Sequence, residues 1–296
     1  MGAAIQGAGE SETLPLVVHG GPLRGIEFHS SVASAQVKTA ILLAGLQAAG
    51  TTLVGEPARS RDHTERLLQY VGVLIEKSAD QLIVKSTNIH NASSLSVPGD
   101  LSSAAFLLVA AAILPGSEVR VHDVGLNPTR TGILDLLGGF GASVTIEETS
   151  EVCGEPRGTV LVRPGDRRPL DVSGSEIVRA IDELPLVGVL GAVAEGETVI
   201  RDAAELRVKE SDRIATLAAG LAAMGVEVVI RPDGLIIRGP ARLKGARVDS
   251  GGDHRIAMAL AVAALAAEGE TEITGWESVG VSYPEFLGDL NQLVEL

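Results

Sequence analysis

Arg207-Val-Lys-Glu-Ser-Asp-Arg-Ile214 puts five ionisable side chains into seven consecutive positions of a chain otherwise dominated by Ala, Leu, Val and Gly. Ala215-Thr-Leu-Ala-Ala-Gly-Leu221 follows with apolar residues at helical spacing, so the charged stretch reads as the start of a helix. On that helix Lys209 and Arg213 would stand four residues apart on one face, where like charges repel by about 0.2–0.5 kcal/mol. An anion facing them would offset that cost, because two cations can share one phosphate or carboxylate. Glu210 sits between them as a candidate acid or base. The plainer alternative is a solvated helix start in which Glu210 pairs with Arg213 at i,i+3.

Working outward, the surroundings of this stretch recur along the chain. A small polar turn opens an apolar Ala/Leu helix, a short β-branched strand follows, and a charged segment then leads into a second helix. One unit runs from Ser34 through the strand Thr51–Val54 to Ser60-Arg-Asp-His-Thr-Glu-Arg66. A second runs from Pro98-Gly-Asp-Leu-Ser-Ser103 through Glu118–Val121 to Leu126-Asn-Pro-Thr-Arg-Thr-Gly132. The third starts near Ala180-Ile-Asp-Glu-Leu184 and contains the opening stretch, and the fourth starts at Gly252-Asp-His-Arg255. A period of roughly 65–80 residues suits a unit of a few strands and two helices. The first helix of each unit is apolar all round and is expected to be buried, and the second is amphipathic and is expected to cover the outside. The architecture implied is α/β, in repeated β/α units with buried helices. Gly-Asp opens two of the buried helices (Gly99-Asp100 and Gly252-Asp253), and Asp is a good N-cap. Helices starting at a common face direct free N–H groups and dipoles there, and such a face attracts anions.

Composition narrows the partners. The chain has 296 residues and a net charge of −14, which argues against nucleic acid or an anionic membrane surface as partner. Its cations are concentrated at corresponding places in the repeats instead: Arg61, Arg130, Lys209, Arg213 and Arg255. A single cysteine, Cys153, lies in the polar stretch Glu151–Gly158, which reads as a loop; it supports no disulfide framework and fits a reducing compartment. No signal peptide and no membrane span is read from the apolar segments.

Five motifs in order, Val32-Ala-Ser-Ala-Gln-Val-Lys38, Ser60-Arg-Asp-His-Thr-Glu65, Leu126-Asn-Pro-Thr-Arg-Thr-Gly132, Leu206-Arg-Val-Lys-Glu-Ser-Asp-Arg213 and Gly252-Asp-His-Arg-Ile-Ala-Met258, resemble the 5-enolpyruvylshikimate-3-phosphate (EPSP) synthase family. The resemblance runs through essentially the whole chain. The related UDP-N-acetylglucosamine enolpyruvyl transferase shares the repeats but is less like the Arg-Val-Lys-Glu-Ser-Asp-Arg and Gly-Asp-His-Arg pair.

The resemblance implies a two-lobed, inside-out α/β barrel-like fold, three repeats to a lobe, with buried parallel helices whose N-termini face a cleft. The reaction implied transfers the enolpyruvyl group of phosphoenolpyruvate to the 5-hydroxyl of shikimate 3-phosphate in the cytoplasm, on the shikimate pathway to chorismate and the aromatic amino acids. No metal or organic cofactor is implied. Ser34, Ala35, Gln36, Arg61, Asp182 and Lys209 correspond to shikimate 3-phosphate contacts. Gln36, Glu210, Arg213 and Arg255 correspond to phosphoenolpyruvate contacts. Asp182 matches the proton acceptor at the 5-hydroxyl, and Glu210 matches the residue moving a proton at the enolpyruvyl methylene. His254 is either a site residue or a hydrogen-bonded structural histidine. Asp182 as an N-cap and Arg255 as a helix-start partner of Asp253 are the plainer alternatives. Ser102, Ser103, Asn127 and Arg130 read as holding the turn of the second unit together.

The family chain is longer at its N-terminus. The resemblance therefore implies an incomplete first lobe over residues 1–97, with one repeat of three, and a second lobe over 98–296. The chain alone is expected to be inactive, with exposed apolar surface where further repeats would pack. A complementary N-terminal fragment is one partner left open, and without it a monomer is expected. A non-catalytic anion-binding fragment that retains shikimate 3-phosphate contacts is one alternative function, and UDP-N-acetylglucosamine enolpyruvyl transferase is the other.

Overall fold

A computed structural model of the chain describes residues 1–8, 13–78, 81–89 and 94–294. It divides into two compact units, Met1–Ser96 with Val152–Glu155, and Val97–Glu151 with Pro156–Leu296.

The first unit opens with an antiparallel hairpin, β1 (Ala4–Ala8) and β2 (Thr13–His19). Then come β3 (Glu27–His29), α1 (Ala35–Gly45), β4 (Thr51–Gly55), α2 (His63–Tyr70), β5 (Glu76–Ser78) and β6 (Gln81–Lys85). The sheet order is β3-β4-β6-β5, with β3 parallel to β4 and β6 antiparallel to both its neighbours. Ser34 starts α1 in an extended conformation, its hydroxyl accepting from Val37 N. Gly45 ends the helix where a Cβ would lie 2.8 Å from Val84 Cγ1, so the missing side chain lets α1 settle onto the sheet.

The second unit repeats this plan. Its elements are α3 (Leu101–Ile113), β7 (Val119–Gly125), α4 (Gly132–Phe140), β8 (Ser143–Val152) and β9 (Glu155–Arg163), followed by β10 (Asp171–Val172), α5 (Ser175–Ala180), α6 (Leu184–Val193) and β11 (Gly196–Ile200). After a 3-10 turn over Ala204–Val208 come α7 (Arg213–Ala223), β12 (Glu227–Arg231), β13 (Gly234–Gly239), β14 (Arg247–Asp249), α8 (His254–Ala264), β15 (Glu272–Thr274), a second 3-10 turn over Trp276–Val281 and α9 (Phe286–Val294). The sheet β10-β11-β13-β12 reproduces the order and strand senses of β3-β4-β6-β5. In β7-β9-β8 a parallel bridge from Gly99 to Val124 stands where the first strand would be, and β14–β15 is the parallel pair alone. The unit of repetition is thus strand, helix, strand, helix, hairpin.

Helices α3, α6 and α8 pack on one another at the centre of the second unit, and every residue of α6 is buried. Their apolar circumference is the reason: a helix without a polar face must be covered on all sides. Among the described residues no helix is long and apolar enough to cross a membrane.

Three sequence expectations need correction. Helix α1 packs against β4 and β6 but leaves Gln36, Val37, Ala40 and Leu43 exposed, so not every first helix is buried. Glu151–Gly158 is no loop: β8 and β9 meet at a two-residue turn in which Cys153 and Gly154 both have positive φ, 55° and 78°. That backbone follows the twist of the flanking strands and makes a tight hairpin. Arg207–Ile214 is not one continuous helix start, because Lys209 is extended and α7 begins only at Arg213. Asp212 decides that boundary by accepting from Ala215 N at 3.1 Å. Lys209 and Arg213 therefore share no helix face.

Candidate active site

The starts of α6, α7 and α8 carry a charged cluster in the second unit. Arg213, the first residue of α7, is 1% exposed. Its Nε donates to Asp253 Oδ2 at 2.8 Å, and its Nη2 donates to Glu210 Oε2 at 2.5 Å. Its Nη1 has no hydrogen-bond partner and lies 3.7 Å from Asp182 Oδ1. Asp253 is fully buried, and it also accepts from Ser211 Oγ at 3.1 Å and from Arg255 N at 2.9 Å. The last bond makes Asp253 the N-cap of α8. One carboxylate thus starts a helix and anchors a buried guanidinium on a neighbouring one.

Asp182 immediately precedes Glu183, the N-cap residue of α6, so it is not the cap itself. Arg255 turns towards it: Nη1 donates to Asp182 O at 3.3 Å, and Nη2 lies 3.7 Å from Asp182 Oδ2. The side chain of Arg255 is not the partner of Asp253, since only its backbone N–H is. Two arginines thereby flank one carboxylate at three helix starts. The paired Glu210 and Arg213 match the plainer reading in geometry, but Arg213 is interior rather than solvated.

The electrostatics follow from burial and pairing. Burial alone would raise the Asp253 carboxyl, but the Arg213 hydrogen bond and charge and the Arg255 and Ser211 donors hold it below the usual carboxylate range. Burial and the neighbouring Arg255 charge depress the His254 imidazole, although Asp253 and Glu210 work the other way. Burial pushes Glu183 up, with the hydrogen bond from Ser102 opposing.

Glu183 belongs to a second chain of contacts. Its carboxylate accepts from Ser102 Oγ, which accepts from Arg130 Nη2 at 2.8 Å. Arg130 also pairs with Asp100 Oδ1 at 2.6 Å, and Asp100 caps α3 through Ser103 N at 3.0 Å. Burial opposes ionisation of Asp100, but Arg130 and the Ser103 donors hold its carboxyl below the ordinary value.

The structure brings Asp182, Glu210, Arg213 and Arg255 together, with His254 beside them on α8. Lys209 turns instead to Glu205, four residues back. In the first unit Ser34, Ala35 and Gln36 form the first turn of α1, and Arg61 lies on the connection from β4 to α2. Lys38, one turn further along α1, is 3% exposed, with Nζ 3.0 Å from Glu56 Oε1 and 2.8 Å from Glu65 Oε1. Sequence reading gave Lys38 and Glu183 no role, and Asp253 only a cap and a pairing with Arg255. The available signal was a charged residue inside or beside an otherwise apolar helix.

Compared with solved structures, this architecture is that of the enolpyruvyl transferases: NikO from Streptomyces tendae matches with a TM-score of 0.78 over 99% of this chain and 68% of that one, at 20% identity, which speaks for the fold alone. An EPSP synthase from Acinetobacter baumannii matches with a TM-score of 0.88 at 40% identity, over 99% of this chain and 68% of that one. The family model for EPSP synthase (3-phosphoshikimate 1-carboxyvinyltransferase) matches residues 1–290. The 3-phosphoshikimate 1-carboxyvinyltransferase of Synechococcus sp. (strain JA-3-3Ab) is 52% identical over 296 residues, 99% of this chain and 67% of that protein. The chain belongs to the EPSP synthase family, and it spans about two thirds of the length of these relatives.

Proposed function

We propose that this chain supplies the proton-transfer groups and part of the anion clamp for enolpyruvyl transfer from phosphoenolpyruvate to the 5-hydroxyl of shikimate 3-phosphate. The observation that carries this reading is Asp182 set between Arg213 and Arg255, each 3.7 Å away, at the starts of three helices. In the proposed step Asp182 takes the 5-hydroxyl proton, and the oxygen adds to C2 of phosphoenolpyruvate. Glu210 delivers a proton to the methylene carbon, giving a tetrahedral intermediate. Glu210 then recovers a proton from the methyl group so formed as the C–O bond to phosphate breaks, and inorganic phosphate leaves with the proton that Asp182 took up. Arg213 and Arg255 hold the carboxylate and phosphate of phosphoenolpyruvate, for which a guanidinium fork is suited. The Glu210 side chain is half exposed, so an anionic substrate can replace it on Arg213 and release it for proton transfer. Ser34, Ala35, Gln36, Arg61 and Lys209 are assigned to shikimate 3-phosphate, with Gln36 also on phosphoenolpyruvate. The two compact units are assigned as a first lobe holding one repeat of three and a second lobe holding three.

Because the relatives are half as long again, the isolated chain is expected to release no phosphate above background. Adding a polypeptide that carries the N-terminal third of a family enzyme is expected to restore release. In that complemented enzyme Asp182→Asn and Arg213→Leu should each lower turnover at least about 100-fold, the usual scale for losing an acid–base group or a charge-stabilising donor. Ordinary turnover by the isolated chain would sink the inactivity claim, and near-normal rates in both variants would sink the assignment of roles.

A further inference from the structure

The proposed chemistry leaves Glu183 without a task, although it follows Asp182 directly and is 2% exposed. Glu183 occupies the N-cap position of α6 yet makes no side-chain cap bond. A residue serving only that helix would turn back to its free amides. This one points away, to Ser102 on the first turn of α3, itself 1% exposed. Ser102 is held in turn by Arg130, and Arg130 by Asp100. The Glu183 main chain is fixed as well: its N–H donates to Ala180 O at 2.9 Å, and its carbonyl accepts from Leu186 N at 2.9 Å. Both the backbone and the side chain of the residue next to Asp182 are therefore pinned. Burial of a carboxyl is costly, and the Ser102 hydrogen bond offsets part of that cost.

We propose that Glu183 is a positioning residue for Asp182: through Ser102 it ties the start of α6 to the start of α3 and so holds the Asp182 carboxylate within reach of Arg213 and Arg255. The role for Asp182 that gives this tether its purpose rests on the function proposed above, whereas the tether is testable without substrate. Three-bond couplings from backbone N and C′ to Cγ report the side-chain rotamer of Asp182 by NMR in the full chain. The expected result is a single rotamer in the unmodified protein and in Glu183→Gln, which keeps an acceptor for Ser102. Glu183→Ala and Ser102→Ala should both give averaged couplings. Ser102→Ala removes one buried oxygen and leaves the carboxyl in place, so it tests the tether if Glu183→Ala does not fold. A single rotamer retained in Ser102→Ala, averaging already present in the unmodified chain, or averaging in Glu183→Gln equal to that in Glu183→Ala would each overturn the proposal. Unfolding of both alanine variants would assign the pair to stability alone and overturn it too. Failure of the functional reading shows separately, as unchanged turnover of Asp182→Asn in the complemented enzyme.

Discussion

Helices α1 and α6 hold the same place in their repeats, each lying on a sheet of the same order and strand senses. Their surroundings differ. All of α6 is buried, packed on α3, α7, α8 and its sheet, and it carries no charge. Helix α1 packs on β4 and β6, turns Lys38 inward between Glu56 and Glu65, and leaves Val37 and Leu43 exposed. The hairpin β1–β2 of the same unit also exposes Ile5, Leu14, Leu16, Val17 and Val18. A repeat thus fixes strand order and strand senses on its own, but sibling helices supply the burial. Where they are present the core excludes water on every side of the helix; elsewhere the apolar face is open and adhesive.

The largest expected effect lies where burial is most complete. Asp253→Ala strands the interior charge of Arg213 and removes the cap of α8, and breaking a buried pair in this way typically costs roughly 3–5 kcal/mol. Trp276 is the single tryptophan, lies in the second unit and sits 6.1 Å from Phe286, so its fluorescence in a urea titration reports on that unit. A loss under about 1 kcal/mol would mean that the cluster tolerates an unpaired guanidinium, as a surface pair would.

The contrast between the helices is next in size. Leu190→Ala in α6, fully buried, should cost about 2–5 kcal/mol, and Leu43→Ala in α1, 46% exposed, should stay within about 0.5 kcal/mol. Urea titrations followed by Trp276 for the first and by amide exchange of α1 for the second measure each in its own unit. Equal losses at the two sites would break the comparison, because the open face of α1 would then be as demanding as a closed one.

Much of this was legible in the sequence. The alternation of apolar helix, β-branched strand and charged segment located the repeats, and Gly99-Asp100 and Gly252-Asp253 marked two helix starts that the structure caps with those aspartates. Arg213 and Arg255 stood out because the cations of an acidic chain recur at corresponding places in its repeats, beside apolar helices. The rest depended on partners remote in the chain. Lys209 was misplaced because a helical period through residues 207–214 ignores the competing cap at Asp212. Glu183 received no role, since nothing local shows that Ser102, 81 positions away, will reach it. The exposed side of α1 was unreadable from its own residues, because an apolar helix face carries no record of whether a neighbour will cover it.

The smallest effect is a pH dependence that sharpens the picture of three crowded helix starts. His254 sits on the first turn of α8, and its imidazole is depressed by burial and by Arg255, with Arg213 adding to them and Asp253 and Glu210 opposing. A base with a lowered folded value stays neutral in the native state while the unfolded chain takes up a proton. Stability is therefore greatest above the ordinary histidine value of 6.5 and falls as the pH drops from there through the depressed folded value. His254→Gln cannot take up that proton, so its melting temperature should fall less between pH 7 and about pH 5 than that of the unmodified chain. The Asp253 carboxyl, held low, acts in a separate window: its contribution is present above the ordinary aspartate value of 3.8 and is lost only as the pH falls through its folded value. Thermal melts of the two proteins across both windows separate the groups. Parallel curves between pH 7 and 5 would mean that His254 is solvated and that the crowding at α8 ends with Asp253 and Arg255.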